Sequence, residues 1–193
     1  MSTLAEPIAA TTRHNPHPAP LGQALPPAHD TALLFARAQA LLPQIAEGAA
    51  AREQERQLPY ALVRRIAEAG LLTFRIPKAY GGPGGSVRDV IRFVVELASV
   101  DSNIAQALRP NFGIIDSLLY AQNEAERQRW FPRLLAGHIF GNGGLERGGA
   151  HGAVAARLVR DGAHFRVTGT KYYSTGALYA DWISSIALNE DGK

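Results

Sequence analysis

Apolar residues recur with a helical period over the first two thirds of the chain. From Asp30 to about residue 140 they return every three or four positions, which is the spacing of one face of an α-helix. Boundary signals divide this stretch into several helices. They are Asp30 as an N-cap, Pro59 in a first turn, Gly70 after a helix end, Ser86 with Asp89 as a capping box, Asp101 or Ser102 as a cap, a break at Pro110, and Asn123 with Glu126 at a further start.

The apolar period shortens to two after about residue 140, which indicates β-strands. The pattern predicts strands over residues 157–160, 164–168, 171–174 and 182–188. Asp161-Gly162 is a hairpin signal between the first two strands, and Gly169-Thr170 predicts a second turn. A helical domain over residues 30–140 is therefore followed by an antiparallel meander over 141–193, which is an α+β fold.

Residues 1–29 show neither period. They are rich in proline, alanine, threonine and histidine, a composition typical of a disordered tail. The chain has no cysteine, so disulfides, zinc–thiolate sites and thiol catalysis are excluded, and His138, His151 and His164 lack metal-ligand spacing. Its net charge of +3 comes from dispersed basic residues, which predicts no nucleic-acid partner. No apolar run reaches the roughly 20 residues of a membrane span and no signal peptide is recognisable, so we expect a cytoplasmic protein.

Residues 169–182 carry the candidate chemistry. A glycine turn leads into a short aromatic strand that ends in Ser174 and Thr175, and the small residues Gly176 and Ala177 follow. Small residues let a planar ring approach the backbone, and the two hydroxyls could donate hydrogen bonds to its edge. An ordinary β-turn that contains serine and glycine has the same pattern, so the stretch alone leaves both interpretations open.

Several motifs, in order, resemble the acyl-CoA dehydrogenase superfamily over about residues 30–193. They are Ala69-Gly70-Leu71-Leu72, Ile76-Pro77, Tyr80-Gly81-Gly82, Gln128-Arg129-Trp130-Phe131-Pro132, Leu135-Ala136-Gly137, residues 169–177 and Ala180-Asp181-Trp182. Within the superfamily, Gly141-Asn142 and residues 173–182 are most similar to the reduced-flavin monooxygenase branch, which includes dibenzothiophene and dimethyl-sulfone monooxygenases. Leu145-Glu146-Arg147 stands where dehydrogenases usually carry Thr-Glu-Pro.

The resemblance implies the N-terminal all-α domain of that fold and the start of its β domain, with the C-terminal helical bundle missing. It also implies FMN between the two parts, a separate flavin reductase that supplies FMNH2, and a flavin C4a-hydroperoxide that oxygenates a small organosulfur compound. The full-length family is expected to be tetrameric. Two other interpretations stay open: an acyl-CoA dehydrogenase-like flavoprotein that oxidises an acyl-CoA with FAD, and a non-catalytic truncated remnant.

The resemblance also implies residue roles. Asn142 would hydrogen-bond the flavin edge or the peroxide, Thr175 and Ser174 would supply flavin-edge hydroxyls, and Gly143 and Tyr173 would complete the cofactor site. Each has a plain structural alternative: an asparagine or glycine in a glycine-rich turn, hydroxyls that bond their own backbone, or a core tyrosine.

Two departures from the monooxygenase branch bear on catalysis. Asn111 stands at or beside the position of its usual histidine, so we place Asn111 with Asn142 and Thr175 in the catalytic set. An asparagine can hydrogen-bond but cannot exchange a proton near neutral pH. Gly144-Leu145 replaces a small hydroxyl residue before Glu146, which removes one donor near the ring. Outside the site, we expect Trp182 in the β-domain core, and we expect His138, His151 and His164 at the surface.

Overall fold

The computed structural model describes residues 25–147 and 154–192. Most of the predicted tail, residues 1–24, lies outside the described residues, as does His151. The helices are α1 (Thr31–Ala46), α2 (Ala49–Glu55), α3 (Tyr60–Glu68), α4 (Val87–Val100), α5 (Ser102–Tyr120) and α6 (Glu124–Leu135), and a 3-10 turn covers Lys78–Tyr80. The strands are β1 (Phe140–Gly143), β2 (Arg157–Asp161), β3 (His164–Thr168) and β4 (Trp182–Ser185). None of the described helices is long and apolar enough to cross a membrane.

The helix boundaries follow the predicted capping residues. The Asp30 side chain accepts a hydrogen bond from the backbone N–H of Leu33 at 2.9 Å, and Ser86 and Asp89 form the complete capping box. Asp101 caps α5, and Asn123 caps α6. Local hydrogen bonds of this kind depend on residues only three positions apart, so they can be predicted from the sequence.

The predicted break at Pro110 is wrong, because α5 continues through it. A proline inside a helix removes one backbone hydrogen bond and costs about 3 kcal/mol. Packing on both sides of the proline offsets this cost, since Ile104, Leu108, Phe112 and Ile115 are all buried. Tertiary packing therefore keeps α5 continuous although Pro110 locally favours a break.

The core consists of two apolar clusters that meet along α5. The first joins α1, α3, α4 and α5 around Phe74 and Phe93, whose rings stack with centroids 5.2 Å apart. The second contains Ile115 of α5, Phe131 of α6 and Phe140 of β1. The first residue of β1 is thus part of the helical core, and this fixes the strand against α5.

Helix α4 is apolar on more than one side. Val90, Phe93 and Leu97 are buried against the core, whereas Val87, Ile91 and Val95 are exposed. The exposed residues follow one another at four-residue spacing and form a continuous apolar stripe.

The β region is only partly the antiparallel meander that the sequence predicts. Strands β2 and β3 form the expected antiparallel hairpin, with Asp161 opposite His164 and a loop in which Gly162 has a φ of +62°. Strand β4, however, pairs with β1 in parallel, with Asn142 opposite Ser184. An apolar period of two identifies a strand but contains no information about the direction of its partner.

The strand predicted over residues 171–174 does not form. Only Tyr173 makes a bridge, to Leu145, and a run of turns follows it. The N–H of Ala177 donates to the carbonyl of Ser174 at 3.2 Å, and the N–H of Tyr179 donates to that of Gly176 at 3.0 Å. We call residues 173–180 the 173–180 loop.

Candidate functional site

The structure brings Asn142 and Thr175 together. The backbone N–H of Asn142 donates to the Thr175 carbonyl at 3.0 Å, and the backbone N–H of Thr175 donates to Asn142 Oδ1 at 3.1 Å. The first bond comes from β1 and the second from the 173–180 loop, so the pair joins two segments far apart in sequence. Two residues that the resemblance assigns to one site therefore lie side by side.

Two glycines allow this approach of backbone to backbone. A Cβ on Gly141 would lie 2.9 Å from the backbone N and Cα of Ala177. Gly176 has a φ of +73°, and a Cβ on it would lie 2.3 Å from the carbonyl oxygen of Ala107 in α5. That a planar ring approaches Gly176 and Ala177 stays a prediction. Both are used for packing of the loop on α5 and β1.

The other residues assigned to the cofactor site surround the pair. Gly143 follows Asn142 in β1, and a Cβ on it would lie 3.5 Å from Ser174 Oγ. Tyr173 is 60% exposed. The Asn142 amide nitrogen and the hydroxyls of Ser174 and Thr175 make no hydrogen bond to the described part of the chain, so they are available as donors to a ligand.

Asn111 lies apart from these donors, behind β1. Its side chain is 0% exposed. Its Oδ1 accepts from the Phe140 N–H at 2.9 Å, and its Nδ2 donates to the Phe140 carbonyl at 3.2 Å. Both ends of the amide are thus occupied by the first residue of β1. This geometry makes Asn111 an anchor of the strand and leaves it no free group for a ligand, contrary to our expectation.

A groove of about 440 Å³ between α4 and α5 ends at Asn142. Its apolar walls come from both helices: Val90, Ile91 and Val94 of α4, and Phe112 and Ile114 of α5. Gly141, Asn142 and Ser184 line it at the β1–β4 side. We call this the α4–α5 groove. It can hold an apolar group against side-chain carbon while polar atoms face the donors at its β end.

Glu146 forms an ion pair that sequence reasoning missed. Its Oε1 lies 2.5 Å from Lys171 Nζ, and its carboxylate accepts from the backbone N–H groups of Ala155 and Ala156 at 2.5 and 3.1 Å. The Lys171 hydrogen bond, followed by these two backbone bonds, lowers the pKa of Glu146 to about 2. In the sequence, Glu146 and Lys171 are 25 residues apart, and no local pattern connects them.

The family of the chain follows from comparison with known proteins. The family model of the acyl-CoA dehydrogenase N-terminal domain matches residues 30–138. The chain belongs to the acyl-CoA dehydrogenase family. An acyl-CoA dehydrogenase of Bacillus subtilis is 24% identical over 149 residues, which cover 75% of this chain and 39% of that relative. FadE29 of Mycobacterium tuberculosis, also an acyl-CoA dehydrogenase, is 32% identical over 127 residues, which cover 64% of this chain and 32% of FadE29.

Solved structures show the same fold. The complex of TdsC from Paenibacillus sp. A11-2 with FMN and indole has a TM-score of 0.71 and 25% identity. The match covers 81% of this chain and 40% of TdsC. TdsC is a dibenzothiophene monooxygenase. This member of the acyl-CoA dehydrogenase family therefore spans about two fifths of the length of the first relatives it matches.

In this acyl-CoA dehydrogenase family member, a second buried ion pair joins the helices to the strands. Arg64 of α3 contacts both carboxylate oxygens of Asp181, each at 3.1 Å, and donates to the Gly137 carbonyl at 3.2 Å. Asp181 also accepts from the Ile139 N–H at 2.8 Å. The sequence motif contains Asp181, but Arg64 was missed. The only sequence signal is its place between the apolar residues Val63 and Ile66.

The expectation that Trp182 lies in the β-domain core is wrong. Its side chain is 36% exposed, and its ring contacts that of Trp130 with centroids 5.1 Å apart. Its Nε1 donates to Nδ1 of His138 at 3.2 Å, which leaves His138 partly covered, whereas His164 is exposed. Among the described residues, no group of three or more His, Asp or Glu side chains could hold a metal ion.

Proposed function

We propose that this chain contributes to the flavin site of a reduced-flavin-dependent monooxygenase that acts on a small organosulfur compound. One observation carries the proposal: the apolar α4–α5 groove ends at Asn142, which is joined to Thr175 by one backbone hydrogen bond and by one from the Thr175 N–H to Asn142 Oδ1. The likeness to TdsC, which is known in complex with FMN, supports this interpretation.

The residues at the groove end fit a flavin ring. The Asn142 amide nitrogen and the hydroxyls of Ser174 and Thr175 have no hydrogen-bond partner among the described residues, and a flavin edge presents carbonyl oxygens and ring nitrogens as acceptors. The exposed ring of Tyr173 offers an adjacent aromatic surface. A bound reduced flavin, supplied by a separate flavin reductase, would contribute the oxygen-activating chemistry. The chain's own contribution is to orient the ring with these donors and to exclude water with the apolar walls.

A second candidate function is the oxidation of an acyl-CoA with FAD. The acyl-CoA dehydrogenase of Bacillus subtilis and FadE29 favour it. Leu145-Glu146-Arg147 in place of Thr-Glu-Pro argues against it. Glu146 is also held by Lys171, Ala155 and Ala156, so its carboxylate is occupied within the chain.

Flavin binding is the direct test of the monooxygenase proposal. FMN fluorescence quenching should give a dissociation constant for the chain, measured alone and with the remaining segment of a relative such as TdsC added in trans. Loss of one hydrogen bond costs about 0.5–1.5 kcal/mol, so Asn142→Ala and Thr175→Ala should each weaken binding about twofold to tenfold. Trp182→Phe, outside the proposed contacts, is the control and should bind as the wild type does.

The outcomes separate the alternatives. Equal FMN affinity in the wild type, Asn142→Ala and Thr175→Ala would show that these residues do not contact the ring. If the chain binds neither FMN nor FAD even with the added segment of the relative, a non-catalytic remnant is favoured. If it binds flavin, sulfoxide formation from dibenzothiophene with FMNH2 and O2 would distinguish the monooxygenase from reduction of an electron acceptor by an acyl-CoA.

A further inference from the structure

The free polar groups of the α4–α5 groove are hydrogen-bond donors. Arg109 lines the groove and is exposed, and its guanidinium has no ion pair or hydrogen bond within the described residues. The Asn142 amide nitrogen and the Ser184 hydroxyl, which also line the groove, make no hydrogen bond within residues 25–147 and 154–192. The guanidinium and the amide nitrogen can only donate, so a ligand that satisfies them must present acceptor atoms, to which the Ser184 hydroxyl can also donate.

The other polar groups of the lining already have partners. The Asp116 carboxylate pairs with Arg75 at 3.0 Å, so its charge is compensated. The Ser117 hydroxyl donates to the Gly113 carbonyl at 2.9 Å. Among the described residues that line the groove, the Arg109 guanidinium is therefore the charge that has no partner of opposite sign.

A guanidinium beside an apolar groove selects for a particular kind of ligand. Its planar fork of N–H groups matches the two oxygens of a carboxylate, a sulfonate or a phosphate. The walls at Val90, Val94 and Phe112 offer only carbon atoms to the rest of such a molecule. The arrangement thus fits an apolar body with one anionic group at the Arg109 side.

We propose that Arg109 is a specificity-determining residue that selects a ligand with an anionic oxygen group for the α4–α5 groove. This rests on the proposed function, which places flavin and substrate at this groove. The anion has two possible sources: a carboxylate or sulfonate of the substrate, or the phosphate of FMN. Both share the chemistry that Arg109 recognises, and the experiment below distinguishes them.

Two matched ligand pairs test the proposal on the whole chain by calorimetry. The first pair is benzothiophene-2-carboxylate and neutral benzothiophene, and the second is FMN and riboflavin. We expect the wild type to prefer the anionic member of one pair. Arg109→Gln should lower that preference about twofold to fivefold, the upper range for an exposed ion pair, and Arg109→Lys should keep part of it. A loss in the first pair identifies a substrate anion, and a loss in the second identifies the flavin phosphate.

Arg88→Gln is the matched control, because Arg88 is an exposed arginine of α4 that does not line the groove. It removes the same charge and should leave both preferences unchanged. Melting temperatures of both glutamine variants should equal that of the wild type, which separates loss of recognition from loss of fold.

Three outcomes overturn the proposal: no anion preference in the wild type, an unchanged preference in Arg109→Gln, or an equal loss in Arg88→Gln. Failure of the proposed function has a different signature. In that case neither flavin binds, while the benzothiophene pair still reports on Arg109. Conversely, flavin binding that depends on Asn142, with no Arg109-dependent preference in either ligand pair, keeps the proposed function and removes this inference.

Discussion

Two asparagines with similar roles in the sequence interpretation have different surroundings in the structure. Asn111 is buried, and both ends of its amide bond the backbone of Phe140. Asn142 accepts from Thr175 with its oxygen, and its amide nitrogen has no partner in the described part of the chain. The residue type is the same, and only the neighbours distinguish an anchor from a ligand-binding group.

Asn111→Ala should destabilise the protein strongly. It would leave the buried N–H and carbonyl of Phe140 without partners, at a cost of about 2–4 kcal/mol. Urea unfolding measures the change. Asn103→Ala, on the exposed face of the same helix, is the control and should cost less than about 1 kcal/mol. A stable Asn111→Ala variant that loses only flavin affinity would instead support the predicted catalytic role.

The pKa of Glu146 gives a pH-dependent stability. Its folded pKa of about 2 lies below its ordinary value of 4.5, so the stabilisation is complete above about pH 4.5 and is lost as the pH falls towards 2. Glu146→Gln should therefore melt at a lower temperature than the wild type at pH 6, and the difference should disappear by pH 2. Glu190→Gln, at an exposed glutamate, should follow the wild-type profile. A difference that is constant between pH 6 and 2 would contradict the assignment.

At the scale of elements, the 173–180 loop owes its position to glycines. Gly176 combines a positive φ with direct contact to the α5 backbone, so a side chain there meets two separate obstacles. The same loop carries Ser174 and Thr175, and the packing of Gly176 therefore determines where these hydroxyls lie.

Gly176→Ala should lower the melting temperature of the protein more than alanine substitutions at other glycines do. The left-handed conformation alone costs about 1–2 kcal/mol, and the clash with the Ala107 carbonyl adds to this cost. Gly162→Ala shares the positive φ but has open space around it, so it isolates the conformational cost. Gly144→Ala, with open space and no positive φ, should be nearly neutral. Thermal melts that rank Gly176→Ala no lower than Gly162→Ala would refute the contact.

At the scale of the whole molecule, the Arg64–Asp181 pair joins the helices to the β region. It connects α3 with the residue before β4, and Asp181 also holds the N–H of Ile139 just before β1. One carboxylate thus positions both strands that carry the candidate site.

Asp181→Asn should lower the free energy of unfolding by about 3 kcal/mol, because it leaves the buried Arg64 charge without its partner. Hydrogen exchange should accelerate over residues 139–143 and 181–185 but not in α1 and α4. Asp161→Asn removes the exposed pair with Arg166 and should cost less than about 1 kcal/mol. Uniform acceleration of exchange throughout the chain would show that the pair has no local role.

The sequence by itself determined the features that depend on near neighbours. These are the helix caps at Asp30, Ser86 and Asn123, the β2–β3 hairpin and the change from helices to strands near residue 140. Caps and hairpins form between residues a few positions apart, so the order of residues is enough to predict them.

Only the tertiary structure decided the relations between distant residues. It placed β4 parallel to β1, carried α5 through Pro110, buried Asn111 and paired Glu146 with Lys171. Each outcome depends on contacts and desolvation between segments that are far apart along the chain. The sequence motifs gave Asn142 and Thr175 as candidate site residues, and their role stays a prediction. The α4–α5 groove, and an Arg109 guanidinium without a partner among residues 25–147 and 154–192, came from folding, because a linear pattern does not record which side chains find partners.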